Sequence, residues 1–392
     1  MHLLHIISTL DPAAGGPAEG VRLLLSQTAD GCTGEVVTLD APDAPFLRDL
    51  PFPAYGVGPI SSVYGYHRNL LPWLRANRSR FDGFLLNGMW QYMGLATMLG
   101  ASQRIPYVLF AHGMLDPYFK RRFPMKHLKK VLYWYPIEFW VLRRAYRVLF
   151  TTETEQGLAR QSFAYSSWKS TIVPYGVELP QVPRAELVEA FQTAVPALRN
   201  RRFLLFLGRV DRKKGCDLLV EAFCQTAADD PDLHLLMAGP DRDGWAAELQ
   251  AVAERAGCAD RIHWPGILRG SAKWGAFYAA EAFILPSHQE NFGIAVAEAL
   301  ACGCPVLLST EVNLADTVRE EGCALIEPDT LEGTRNLIQH WQGLPAEARK
   351  TMAQNALRTY ERRFNLRESM RSIQRVFEEA LSSGRYPKRE VR

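Results

Sequence analysis

Residues 282–306 read AFILPSHQENFGIAVAEALACGCPV. Ala282–Pro286 is apolar and of strand length. A turn follows, and a helix opens near Gly293 and runs to about Cys302. Gly303-Cys304-Pro305 ends the helix, and Val306–Ser309 is again a short apolar strand. A strand, a covering helix and a second buried strand make a β-α-β unit, whose strands lie parallel. The start of such a helix exposes unpaired N–H groups and about half a positive charge, so anions sit there readily. Gly293 lets a ligand approach the backbone closely. Glu290 precedes the helix, and Glu298 lies inside it, about one turn from its start. A carboxylate bonds sugar hydroxyls well because it offers several acceptor positions. The stretch therefore suits a phosphate that carries a sugar on each side. A capping Glu followed by a solvent-facing helical Glu is the plainer reading of the same residues.

The same rhythm extends in both directions. Upstream, strand-length apolar runs fall at Leu3–Ile7, Glu35–Leu39, Phe84–Asn87, Tyr107–Ala111, Val148–Thr151 and Thr171–Pro174. A second series comprises Phe203–Gly208, Leu233–Ala238, Ile262–Trp264, Ala282–Pro286, Val306–Ser309 and Ala324–Glu327. Helix-period segments follow most of these runs; Cys216–Ala228 sets Leu218, Leu219, Ala222 and Phe223 on one face. Alternation of this kind predicts an α/β protein with parallel sheets covered by helices. Two series in tandem predict two doubly wound domains. The division falls near Val173-Pro174-Tyr175-Gly176-Val177, where a strand gives way to Pro, Gly and a loose segment. From Pro345 the pattern is helical, with helices expected over Leu344–Phe364 and Leu366–Leu381.

Composition narrows the functional classes. The chain has 392 residues, 47% hydrophobic and 22% charged, which excludes disordered, collagen-like and coiled-coil classes. Lys+Arg total 45 against 42 Asp+Glu, a net charge of +3, so nothing points to nucleic acid. The cysteines are Cys32, Cys216, Cys224, Cys258, Cys302, Cys304 and Cys323, with no Cys-x-x-Cys among them. This argues against a disulfide framework or a zinc site and for a reduced, cytoplasmic setting. The opening MHLLHIIS lacks the basic region of a signal peptide and reads as a buried strand. Gly83–Gln103 carries no charge, but its four glycines, Asn87, Gln91 and Gln103 make it a strand, a turn and a helix, not a membrane span. No dinucleotide fingerprint follows a strand and no P-loop is present. Asp230-Pro231-Asp232 and Asp241-Arg242-Asp243 have metal-like spacing, but the first pair lies at the wrong edge of the sheet.

At this point the sequence resembles a known family. Glu290-Asn291-Phe292-Gly293 running to Glu298 is similar to the Glu-x7-Glu signature of retaining glycosyltransferase family 4, whose fold is GT-B. Gly15-Gly16-Pro17 matches that family's glycine-rich loop, and His112-Gly113 its His-Gly. Gly208-Arg209 with Lys213-Lys214-Gly215 matches its G-R-x4-K-G, and Ala238-Gly239-Pro240-Asp241 its A-G-P-D turn. The resemblance covers nearly the whole chain. It implies two Rossmann-like doubly wound domains facing across a cleft. The acceptor domain is expected at residues 1–175, with the helix at 366–392 crossing back to it, and the donor domain at 176–365.

The resemblance also implies roles. Arg209 and Lys214 would grip the donor diphosphate, one as a fork and one as a point charge. Glu298 would hold the ribose hydroxyls. Glu290, with the backbone of Asn291, Phe292, Gly293 and Ile294, would face the transferred sugar. Gly15 and Gly16 would approach the phosphates or the acceptor from the other domain, and His112 would lie beside the anomeric centre. A lone His at a strand end is more often structural, so the role of His112 leans on the resemblance. The implied activity is retaining, metal-independent transfer from a nucleotide diphosphate sugar, with no cofactor, to a saccharide or lipid-linked saccharide acceptor in polysaccharide or glycoconjugate biosynthesis. An epimerase or phosphorylase of the same fold, or a non-catalytic nucleotide-sugar-binding subunit, is the alternative.

Tyr118–Arg147 stands apart. It carries Lys120, Arg121, Arg122, Lys126, Lys129, Lys130, Arg143, Arg144 and Arg147 against one acid, Glu138, with aromatic and aliphatic residues interleaved. Basic residues mixed with aromatics read as a patch for an anionic membrane surface, centred on Lys120–Lys130, or for an anionic acceptor. That would place the protein peripherally on the inner face of the plasma membrane. A helix with a core stripe and a solvated basic face is the competing reading.

Overall fold

Among the described residues, thirteen short strands pair only in parallel, because helices connect them and cover the central strands on both faces. A computed structural model describes residues 1–14, 16–26, 31–60, 62–118, 120, 124–164 and 167–387, with the side chains of 13, 124 and 126 left aside. Contacts divide the chain into two units, Met1–Gly176 with Leu366–Arg392, and Val177–Asn365.

The first unit holds β1 (His2–Ile7), β2 (Thr33–Thr38), β3 (Ala54–Gly56), β4 (Gly83–Asn87), β5 (Tyr107–Phe110), β6 (Val148–Phe150) and β7 (Ser170–Ile172). Their order in the sheet is β3-β2-β1-β4-β5-β6-β7. Its helices are α1 (Gly16–Ser26), α2 (Leu70–Asn77), α3 (Tyr92–Ala101), α4 (Pro124–Tyr133), α5 (Phe139–Arg144) and α6 (Glu153–Ala159). A π-helical turn, Trp134–Glu138, joins α4 to α5. Every residue of β4 is buried, so Gly83–Gln103 is a central strand followed by the helix α3. Strand β3 escaped the sequence reading. It is three residues long and sits at the sheet edge, where no apolar run is needed.

The second unit holds β8 (Arg202–Leu207), β9 (Leu233–Ala238), β10 (Ile262–Gly266), β11 (Ala282–Leu285), β12 (Val306–Ser309) and β13 (Ala324–Glu327), in the order β10-β9-β8-β11-β12-β13. Its helices are α7 (Arg184–Ala194), α8 (Cys216–Thr226), α9 (Ala246–Arg255), α10 (Gly270–Ala279), α11 (Ile294–Ala301), α12 (Ala315–Glu320), α13 (Leu331–Gly343) and α14 (Ala346–Thr359). The last helix, α15 (Leu366–Ser382), packs on the first unit. There Ser369 donates to the Pro174 carbonyl at 2.8 Å and Arg147 pairs with Glu379.

Both sheets are doubly wound, with the direction of strand progression reversing at β1/β4 and at β8/β11. In such sheets ligands bind outside the carboxyl ends of the strands at the reversal. One expectation needs correction. Cys224 of α8 and Cys258, just past α9, form a disulfide, although 34 residues separate them. Spacing in sequence gave no reason to pair them; packing of α8 beside α9 brings their Cα atoms to 5.9 Å. Cys32, Cys216, Cys302, Cys304 and Cys323 remain free thiols.

Candidate functional site

In the second unit, β8 and β11 flank the reversal point, and the loops that leave them carry the residues singled out above. Beyond β8 the chain turns sharply at Gly208, whose N–H donates to the Ala238 carbonyl at 3.0 Å. Gly239 faces it with φ +150°, and a Cβ there would lie 1.7 Å from the Gly208 carbonyl oxygen. Only glycine permits this approach, which explains the glycine of the Ala238–Asp241 turn. Asp211 accepts the Lys213 N–H at 2.8 Å and caps a single 3-10 turn, Arg212–Lys214. Gly215 ends that turn at φ +65°, where a Cβ would strike the Pro286 carbonyl at 2.1 Å. The His288 N–H donates to the Lys213 carbonyl at 2.9 Å. The two loops are thus stitched together through backbone.

This stitching delivers Lys214 to Glu290. The ammonium is bonded to a Glu290 carboxylate oxygen, and each side chain is 16% exposed. Glu290 is fixed by its own backbone. Its N–H donates to the Glu311 carbonyl at 3.0 Å, and its carbonyl accepts the Asn313 N–H at 3.0 Å. The Asn313 side chain reaches the Asn291 amide oxygen at 3.4 Å. Phe292 points into the core, against Phe364. Gly293 takes φ +76° at the N-cap of α11, so the backbone of Asn291, Gly293 and Ile294 opens the helix. Arg209 is half exposed, 3.6 Å from Asp211, and its guanidinium is available to solvent.

Glu298 lies on α11, 8% exposed, with an oxygen 2.7 Å from the ammonium of Lys273 on α10. Lys273 also lies over the Trp274 ring, 4.8 Å from its centroid. The sequence reading missed Lys273. No motif marks it, and 25 residues separate it from Glu298. Each of the two glutamates is therefore held by a lysine, and Arg209 adds a further positive charge. The edge can take a diphosphate and bond hydroxyls on either side of it. Asp241 is engaged elsewhere, accepting the N–H groups of Trp245 and Ala246 at 3.0 and 2.9 Å and so capping α9. Asp230 pairs with Arg202 at 2.9 Å.

In the first unit, Gly16 opens α1 just beyond β1; Gly15 lies outside the described residues. His112 follows β5 at φ +50°. Its Nε2 is 3.2 Å from the Asn87 side-chain oxygen at the end of β4. Its Nδ1 meets the Tyr175 hydroxyl, and its ring stacks on Phe110 at 4.7 Å. With Asn87 accepting, Nε2 carries the proton and Nδ1 accepts from Tyr175. Burial pushes the imidazole down to about 3, so His112 is neutral at pH 7. Gly113, at φ +74°, donates its N–H to Glu155 at 2.6 Å. His112 thus belongs to a packed hydrogen-bonded group at the β4 and β5 ends, and both ring nitrogens are engaged. The structure does not group it with Arg209, Lys214, Glu290 and Glu298, which belong to the other unit.

Comparison with known proteins places this arrangement. The family described as glycosyl transferases group 1 matches residues 189–359, and the glycosyl transferase 4-like domain matches residues 15–176. The D-inositol 3-phosphate glycosyltransferase of Segniliparus rotundus is 31% identical over 179 residues, covering 45% of this chain and 39% of that protein. That of Xylanimonas cellulosilytica is 36% identical over 163 residues, covering 38% and 37%. The matches thus span less than half the length of these curated relatives. Among solved structures, sucrose-phosphate synthase from Thermosynechococcus elongatus superposes with a TM-score of 0.73 at 21% identity, over 97% of this chain and 99% of that one. Anabaena HepE in complex with UDP and glucose superposes with a TM-score of 0.75 at 18% identity, over 98% and 100%. These two likenesses concern the fold, which is GT-B as expected from the sequence. With one matched family in each half of that fold, the chain belongs to the family 4 type of glycosyltransferases.

Proposed function

We propose that this chain moves a sugar from a nucleotide diphosphate sugar to a saccharide or lipid-linked saccharide acceptor, with retention of anomeric configuration and without a metal. One observation carries the reading. Lys214 from the β8 loop is bonded to Glu290, whose loop runs into the Gly293 helix start and Glu298, and Arg209 leaves β8 at the same carboxyl edge, where the sheet reverses. Arg209, Lys214 and the first N–H groups of α11 take the diphosphate. Glu298 takes the ribose, and Glu290 with the backbone from Asn291 to Ile294 takes the sugar. The α11 start and Lys214 are fixed in place before charge develops on the departing phosphate, which is what electrostatic preorganisation requires, and Arg209 is free to close on it from solvent. This removes the need for a metal counter-ion.

In this reading the bond from the anomeric carbon to the phosphate oxygen breaks, and the acceptor oxygen bonds to the same face. The acceptor proton passes to the departing phosphate oxygen. His112 serves beside the anomeric centre as an uncharged ring and takes no part in proton transfer, because both its nitrogens are engaged by Asn87 and Tyr175 and burial keeps it neutral. The nearest acid along the sequence, Asp116, accepts the Tyr118 N–H at 2.7 Å, and Glu155 is taken up by the N–H groups of Gly113 and Thr151, which does not favour a covalent route. Gly15 and Gly16 serve the donor phosphates or the acceptor, from an acceptor domain of residues 1–175 with 366–392, and residues 176–365 form the donor domain. The acceptor points to polysaccharide or glycoconjugate assembly on the cytoplasmic side, with the protein peripheral at the inner face of the plasma membrane.

The test is calorimetry against a panel of nucleoside diphosphates and their sugars, followed by NMR of the product. One nucleotide should bind preferentially, and ligand at 100 times its Kd should add about 2.7 kcal/mol of stability. Nucleotide release should require an acceptor, and the new bond should keep the donor's anomeric configuration. Turnover that requires free phosphate, or donor conversion without acceptor, would replace this reading with a phosphorylase or an epimerase. Absence of any nucleotide binding would remove it altogether.

A further inference from the structure

Helix α4 presents apolar side chains to solvent where a core stripe was one of two expectations. Met125, Leu128 and Leu132 are 72%, 55% and 73% exposed. Their spacing of three and four residues sets them on one face of the helix. Tyr135, at the next turn, is exposed as well. The core positions of this segment are others: Trp134, Val141 and Leu142 are buried, with Trp134 stacked on Phe163 at 4.4 Å. The five-residue π turn holds Trp134 and Glu138 inward, while Tyr135 and Pro136 stay out. The apolar stripe is therefore surplus to the core.

Charge says what it faces. Lys129 is exposed and flanks the stripe, one turn from Met125 and from Leu132. Lys120 is exposed just upstream. Further along, Arg143 and Arg144 are exposed and place their guanidinium groups 5.9 Å from the ring of the exposed Trp140. Lys130 differs: it folds back over the Trp90 ring at 4.5 Å and does not belong to the patch. Arg121 and Arg122 lie outside the described residues. The only acid from Tyr118 to Arg147 is Glu138, which is fully buried. No helix among the described residues is long and apolar enough to cross a membrane. An exposed apolar stripe rimmed by cations, with no exposed acid contributed by residues 118–147, complements a layer that is anionic outside and apolar just beneath.

We propose that Met125, Leu128, Leu132 and Tyr135 of this segment enter the headgroup layer of an anionic phospholipid membrane, with Lys120 and Lys129 on the phosphates. This refines the sequence expectation, which centred on the basic residues of Lys120–Lys130 with aromatics beside them. It deepens the acceptor reading above and rests on it for its use, since docking would bring the enzyme to a lipid-linked saccharide. Aliphatic side chains supply insertion, and cations supply selectivity for anionic lipid.

The test is co-sedimentation of the full chain with vesicles of phosphatidylcholine alone or of phosphatidylcholine with phosphatidylglycerol. At low salt the wild type should partition at least tenfold more strongly onto the anionic vesicles. The preference should shrink at about 0.5 M salt, where the Debye length is well under 10 Å. Lys129→Gln should weaken binding about fivefold, the worth of roughly one surface charge. Met125→Ser/Leu128→Ser/Leu132→Ser should lose at least tenfold with circular dichroism and melting temperature unchanged, since these side chains are solvent-facing. No binding to anionic vesicles, or equal binding by the triple variant, would overturn the proposal. So would a dimer that the triple variant dissociates while neither protein binds vesicles, which would make the stripe a contact between copies. Calorimetry with nucleoside diphosphates, run on the same proteins, keeps the two readings apart. Donor binding with no vesicle binding removes only the docking face, and vesicle binding with no donor binding removes only the transferase reading.

Discussion

Lys214→Met separates a ligand-binding lysine from one that merely neutralises its neighbour. In the structure the Lys214 ammonium is bonded to Glu290, and both side chains are mostly but not wholly shielded from water. Removing the cation leaves a partly buried carboxylate unpaired, which costs about 1–3 kcal/mol. In a unit of this size each kcal/mol lowers the melting temperature by roughly 2–4 °C. The same substitution removes a charge-assisted bond to the diphosphate, about 1.5–3 kcal/mol, or roughly ten- to hundredfold in Kd. The partner variant Lys214→Met/Glu290→Gln resolves the two effects, because it deletes the unpaired charge without restoring the ammonium. Stability should return in the double variant, while affinity for the nucleoside diphosphate should stay low. Differential scanning calorimetry and titration calorimetry on the four proteins of this cycle supply both coupling energies. If the double variant recovers wild-type nucleotide affinity, Lys214 acts only as the counter-ion of Glu290, and the diphosphate assignment fails.

Further outcomes follow from the same geometry. Glu298→Gln should weaken nucleoside diphosphate binding about tenfold, and Lys273→Met should reproduce part of that loss because it frees the carboxylate at 2.7 Å. Glu290→Gln should instead spare nucleotide affinity and depress sugar transfer; the reverse pattern would exchange the roles of the two glutamates. Activity should persist in EDTA, and loss of activity that Mg²⁺ or Mn²⁺ restores would contradict neutralisation by Arg209, Lys214 and the α11 start. His5 is buried and its imidazole is pushed down to about 4 by that burial. The native state therefore binds fewer protons than the unfolded chain below pH 6.5. The histidine's share of stability is complete above that pH and is lost as pH falls towards 4, about 2 kcal/mol by pH 5. His5→Leu should flatten this part of the acid limb in chemical denaturation, and an unchanged limb would show that His5 is not its source.

Much of this protein was legible in its sequence because short buried strands advertise themselves. Parallel strands covered by helices are largely apolar, so twelve of the thirteen among the described residues could be read directly as runs. The edge strand Ala54–Gly56 could not, since a three-residue edge needs no such run. Gly215, Gly239 and Gly293 were legible as motif glycines, and the structure gives the reason in positive φ and close backbone approach. Partnership was not legible. Lys273 with Glu298, Lys214 with Glu290 and Cys224 with Cys258 join residues 25, 76 and 34 positions apart. His112 looked like a residue for chemistry until its two nitrogens were seen to be taken by Asn87 and Tyr175. The basic aromatic segment was visible as composition, but which of its apolar side chains face water depended on a π turn at Trp134–Glu138. Local sequence determines periodicity, turns and helix starts because these depend on neighbours within a few residues. Charge pairing and exposure depend on which distant surfaces the fold presses together, and only the tertiary structure decides that.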